Sequence, residues 1–129
     1  MPVGRLQEVV IDCVDPARLA TFWQHVLGGE IRVESDEWVL VATPDGTPVS
    51  FQRVPEPKVG KNRVHLDVRV DDGVADGVDG LTAATVAAES FGAVRAGLAQ
   101  YDALGGFQVM TDPEGNEFCL VAGDTPTPA

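Results

Sequence analysis

The pattern that begins at Glu8 begins again at His65, and this repetition constrains the fold more than any other feature of the chain. The windows "EVVIDCVD" (8–15) and "HLDVRVDD" (65–72) each start on a polar residue and end on an aspartate. Both carry apolar residues at the first, third and fifth positions after that start. Alternation of this kind predicts a strand with one face buried. The offset (65 − 8 = 57 residues) suits one supersecondary unit, which is too small to complete a core without its neighbour.

The repeat extends beyond these two windows. After the first strand comes "DPARLATFWQHVLGG", in which Asp15 is a natural N-cap, Pro16 a first helical residue and Gly28 with Gly29 a stop. Leu19, Phe22, Trp23, Val26 and Leu27 recur at helical spacing and make its apolar face. Three strand-like runs come next, "EIRVES", "EWVLVATP" and "TPVSFQRV", the last two separated by the turn "PDG". In the second copy a helix is predicted within 74–91, its first turns weakened by Gly77 and Gly80. The runs "AVRAGLA", "GFQVMTD" and "NEFCLV" then read as strands. The fold class expected is α+β: two paired βαβββ modules forming one domain over residues 1–129, with a curved mixed sheet enclosing a cleft. Module one covers about 5–54, a Pro-, Gly- and Lys-rich linker 55–62, module two about 63–122, and a short C-terminal tail closes the chain.

Alternation assigns faces. Val9, Ile11, Cys13, Leu66, Val68 and Val70 cover the helices, and Glu8, Val10, Asp12, His65, Asp67 and Arg69 look the other way. Charged residues on that second face in both copies favour a shared polar cleft.

Composition narrows the partners. The formal net charge of −11 repels phosphate backbones and anionic lipid, so neither nucleic acid nor membrane is an expected partner. No apolar run approaches a bilayer span, and the start "MPVGRLQEVVID" lacks the charge and hydropathy pattern of a signal peptide, so a cytoplasmic location is expected. Cys13 and Cys119 are too few and too far apart for a metal knuckle, and a disulfide is not expected. Ser50, Ser90 and the threonines have no Ser/His/Asp setting, and no Gly-rich phosphate loop joins a strand to a helix.

Three segments in this order, "DPARLATFWQHVLGG", "HLDVRVDD" and "TDPEGNEFCLV", resemble the vicinal oxygen chelate superfamily of glyoxalase, bleomycin resistance and extradiol dioxygenase proteins, in its glyoxalase-like branch. The resemblance spans about residues 5 to 122. It implies a homodimer and, in the family's enzymes, one divalent metal held by the first and last strands of each module. Carried onto this chain, those positions are Glu8, Gln52 (or Ser50, two residues away on the same face), His65 and Cys119. Cys119 stands where the family's metal enzymes usually present a glutamate, and a thiolate shifts preference toward zinc or Cu(I). A divalent ion (Zn, Ni, Fe or Mn) and no cofactor at all are both compatible with this mixed set.

Each candidate residue has two readings. Cys119 is a metal ligand or a buried thiol lining a pocket with Val121. His65 is a ligand or a histidine hydrogen-bonded inside the cleft, and Glu8 is a ligand and proton-transfer base or the partner of Arg69 or His65. Gln52 coordinates or makes a structural amide bond. Arg69 pairs with Asp67 or holds an anionic ligand. Trp38 stacks on a ligand or packs. Tyr101, in the loop-like "AQYDALGG", would cover the cleft entrance, with Gly105 and Gly106 supplying a lid's mobility. The leading expectation is a protein that binds a small organic molecule in the cleft, an apolar or planar ligand such as an antibiotic. The alternative is a metal-dependent lyase, isomerase or dioxygenase using Glu8, His65 and Gln52.

Overall fold

Alternation becomes a strand at Val9–Cys13 (β1), where exposure rises and falls with a period of two and Cys13 is buried. In this computed structural model, which describes residues 1–128, the chain divides into two compact units, Met1–Val59 and Gly60–Ala129. Among the described residues no helix is long and apolar enough to cross a membrane.

In the first unit β1 leads directly into helix Pro16–Leu27 (α1). The Asp15 carboxylate accepts the Arg18 amide at 3.1 Å, and Gly28, at φ 77°, ends the helix by donating its N–H to Gln24 O. Strands Glu30–Ser35 (β2), Trp38–Ala42 (β3) and Val49–Arg53 (β4) complete the unit. The sheet order is β1-β4-β3-β2, with β1 parallel to β4 and the other pairs antiparallel. Leu19, Phe22 and Trp23 of α1 are buried against β3 and β4, the two rings meeting edge to face with centroids 5.4 Å apart.

The second unit repeats that order with insertions. Leu66–Arg69 (β5) lies parallel to Glu117–Gly123 (β11), which pairs antiparallel with Gly105–Thr111 (β10), which in turn pairs with Val94–Arg95 (β8). Helix Gly80–Ser90 (α2) packs on β10 and β11. The helix starts six residues later than position 74, where the predicted stretch begins. Residues 74–79 instead form a hairpin of Val74–Ala75 (β6) and Val78–Asp79 (β7), turned by Asp76 and Gly77 at φ 55° and 77°. Asp-Gly in the left-handed region is a hairpin turn, and this local chemistry overrides the helical spacing. Asp79 then caps α2 by accepting the Thr82 amide, and this hydrogen bond holds its carboxyl below the usual range. Gly80 has no room for a side chain, since a Cβ there would meet Asp71 O at 1.5 Å.

A second difference lies in "AQYDALGG", expected as a loop. Gln100–Asp102 forms a strand (β9) paired with β10. Gly106 is a packing glycine rather than a hinge: it sits opposite Tyr101, whose ring would lie 2.6 Å from an added Cβ.

Candidate functional site

The turn that sets the last strand is built by one side chain. Asp112, 2% exposed, accepts the amides of Glu114 and Asn116 and the Asn116 side-chain amide, while Gly115 at φ 82° closes the bend. "TDPEGN" therefore fixes the register of β11 on β10, pairing Val109 with Cys119 and Phe107 with Val121. On its other edge β11 places Cys119 beside Asp67. Phe107, Val109, Cys119 and Val121 form an apolar cluster on this face of the second unit's sheet.

At the edge of that cluster the side chains change character. The ligating atoms of His65, Asp67 and Cys119 all lie within 4.8 Å of one another. His65 Nε2 is 3.2 Å from Asp67 Oδ1 and 2.9 Å from Thr127 Oγ1, and the Thr127 hydroxyl lies 3.0 Å from both carboxylate oxygens of Asp67. Cys119 is 3% exposed. Burial, with the Asp67 charge adding to it and Lys61 opposing, pushes its thiol up to about 11.

Arg69 pairs with Asp124 rather than with Asp67. It donates to Gly123 O at 2.8 Å and to Asp124 Oδ1 at 3.2 Å, fixing the corner where the chain leaves β11. Beyond that corner Thr125 Oγ1 donates to Asp102 Oδ1 at 2.7 Å, a bond that holds the Asp102 carboxyl below its ordinary range. Thr125 and Thr127 both precede prolines, which restrict them to extended backbone. Residues 125–128, together with Gln100, Tyr101, Asp102 and Phe107, line an open pocket of about 380 Å³. Asp102 is the one charged group among the described residues lining it. The segment expected only as a C-terminal tail is thus a wall of this cavity. "TPTP" holds a signal for it: two hydroxyls on a stiff segment beside a strand end.

In the first unit, Gln52 is in register with Asp12 on one side and Trp38 on the other, so these three share a row across the sheet. The half-buried Glu8 precedes β1. Ser50, between Val10 and Leu40 in register, is fully buried, and its hydroxyl has no hydrogen-bond partner. Tyr101 donates to Asp79 at 3.4 Å and lines the cavity of the second unit.

The match to a glyoxalase-like domain runs from residue 8 to residue 121. The chain belongs to the glyoxalase-like domain family. Among curated proteins none matches it. A glyoxalase/bleomycin resistance protein/dioxygenase family enzyme from Burkholderia phytofirmans PsJN superposes with a TM-score of 0.76 at 18% identity, covering 94% of this chain and all (100%) of that one. The fosfomycin resistance protein FosX from Listeria monocytogenes gives 0.73 at 13% identity over 95% of this chain and 96% of its own. A FosX variant complexed with Mn(II) and 1S,2S-dihydroxypropylphosphonic acid gives 0.73 at 15% identity, over 96% and 93%. At these identities the likeness establishes a shared fold: the α+β, two-module architecture of the superfamily.

The donor set of the triad can be tested against a metal directly. One imidazole, one carboxylate and one thiol make a mixed N, O and S set, which fits zinc with a position left open. It fits a hard ion such as Mn(II) poorly. Asp67 supplies a carboxylate next to the position where Cys119 does not, so the residues present can hold a zinc-class ion once the thiol gives up its proton.

Proposed function

We propose that this glyoxalase-like protein binds a small organic molecule, neutral or cationic and with a planar apolar face. The observation that carries this reading is the cavity of about 380 Å³ in the second unit, within the range of sites for small ligands. Phe107 and Tyr101 offer it aromatic surface, and Asp102 offers a carboxylate kept ionised by Thr125 and the Leu104 amide. A phosphonate of the kind in the FosX complex would meet a negative charge and no cation there. The test is thermal unfolding with a panel of aromatic amines, uncharged aromatics and organic phosphonates. A bound member at a hundred times its dissociation constant raises stability by about 2.7 kcal/mol, several degrees for a domain of this size. Tyr101→Ala is expected to abolish that shift. Stabilisation by phosphonates alone, or a shift indifferent to Tyr101, would sink the proposal.

The second reading, a metal-dependent lyase, isomerase or dioxygenase, is favoured by the triad of His65, Asp67 and Cys119. In it these three hold a zinc-class ion. The ion when bound would supply Lewis acidity for adjacent substrate oxygens. This reading predicts stoichiometric metal in protein purified without chelator and its loss in His65→Ala. We take the protein to act as a cytoplasmic homodimer, on family resemblance; a sedimentation run at micromolar concentration checks the dimer.

A further inference from the structure

The segment after β11 ends against the same three side chains that can hold a metal. The chain leaves the strand at Gly123, φ 74°, is pinned at the corner by Arg69, and returns toward the start of β5. Three polar contacts then tie Thr127 to the triad: 2.9 Å to His65 Nε2 and 3.0 Å to each Asp67 oxygen. The hydroxyl thus rests on the imidazole nitrogen and on both oxygens of the carboxylate that the triad would offer a metal. Thr127 and a metal compete for the same two groups.

The same segment walls the cavity, through Thr125, Pro126, Thr127 and Pro128. A change in Thr127 at the triad is therefore felt at the place proposed for the organic ligand.

We propose that residues 124–128 are a strap that closes on His65 and Asp67 in the metal-free protein and is released when a zinc-class cation takes His65, Asp67 and Cys119, opening one wall of the cavity. This inference rests on the metal reading and adds regulation to it. Because coupling is reciprocal, the metal changes affinity for the organic ligand by the same factor that the ligand changes affinity for the metal. Thr127 itself stays outside the coordination sphere.

Cobalt(II) serves as the probe, because a cobalt–thiolate bond gives a charge-transfer absorption that reports Cys119 directly and needs no activity. Cobalt and then zinc by competition are titrated into the full chain, as wild type, Thr127→Val and Thr127→Ser. Removing the hydroxyl removes bonds that only the metal-free state makes, so Thr127→Val is expected to bind about tenfold more tightly. Thr127→Ser is expected to match wild type. In the wild type, zinc is expected to speed hydrogen exchange of the amides of residues 124, 125 and 127. Equal affinity in wild type and Thr127→Val overturns the strap, and weaker binding by Thr127→Val overturns it by making the hydroxyl a ligand. The metal reading survives both results. Absence of the thiolate band in every protein removes the metal reading and the strap together.

Discussion

The two units share a strand order, β1-β4-β3-β2 in one and β5-β11-β10-β8 in the other, and draw on their helices to different degrees. In the first, the helix brings the bulk: Leu19, Phe22 and Trp23 are at most 2% exposed. In the second, the helix brings Leu81, Thr85 and Ala88, and the sheet supplies the large groups Met110, Phe118 and Leu120. The outward faces diverge as well. The first unit's carries Val10, Asp12, Ser50, Gln52 and Trp38, whereas the second gathers three metal-competent donors and the cavity. A duplicated scaffold has left one copy with the heavier helix and the other with the metal-competent donors and the pocket.

The largest effect expected from this contrast is on stability. Trp23→Ala leaves a cavity in a helix-filled core and is expected to cost about 3–5 kcal/mol. Thr85→Ala, at the buried centre of α2, removes one hydroxyl whose bond goes to Leu81 O in the same helix and is expected to cost about 1 kcal/mol or less. Chemical denaturation of both variants checks the asymmetry. Similar costs would mean that α2 is packed as tightly as α1 despite its small residues.

A second comparison concerns which copy would hold a metal. Cys119→Ala and Asp67→Asn are expected to weaken zinc binding by at least about a hundredfold, since each removes a donor from a three-residue set. Gln52→Ala is expected to change it by less than about threefold. Isothermal titration with zinc distinguishes the two. A large loss in Gln52→Ala would overturn the three-residue set.

Much of this contrast is legible in the sequence. Period-two alternation places β1 and β5 and their outward residues, and Asp15, Pro16 and Gly28 bound α1 to the residue, because caps act locally. The start of α2 is hidden because Asp76-Gly77 turns a hairpin whose strands are only two residues each, too short for periodicity to register. Tyr101 reads as part of a loop because β9 has three exposed residues and is defined by its partner β10 rather than by its own pattern. At the site, His65 and Cys119 are nominated through the family resemblance. Asp67 as their companion needs the parallel register of β5 on β11, and Thr127 needs the path of a segment with no periodic signal.

The smallest effect expected comes from Cys119 as an acid. Its folded-state thiol lies at about 11, above the ordinary value of 9.0, because burial first and Asp67 second disfavour the thiolate. The neutral thiol is thus the form that the fold stabilises. That contribution is complete below pH 9, where folded and unfolded thiols are both protonated, and is lost as pH rises toward 11, where the unfolded chain ionises first. In metal-free protein the midpoint difference between wild type and Cys119→Ala is expected to shrink by about 3 °C between roughly pH 8.5 and 10.5. Tyrosine and lysine titrate in the same window in both proteins, so the difference isolates Cys119. With zinc present the sign reverses at lower pH: the metal must displace the thiol proton, and its affinity is expected to rise about tenfold per pH unit from this group between roughly pH 6 and 8. A metal affinity flat in pH would place the bound ion away from Cys119, and the contrast between the two units would then rest on the cavity alone.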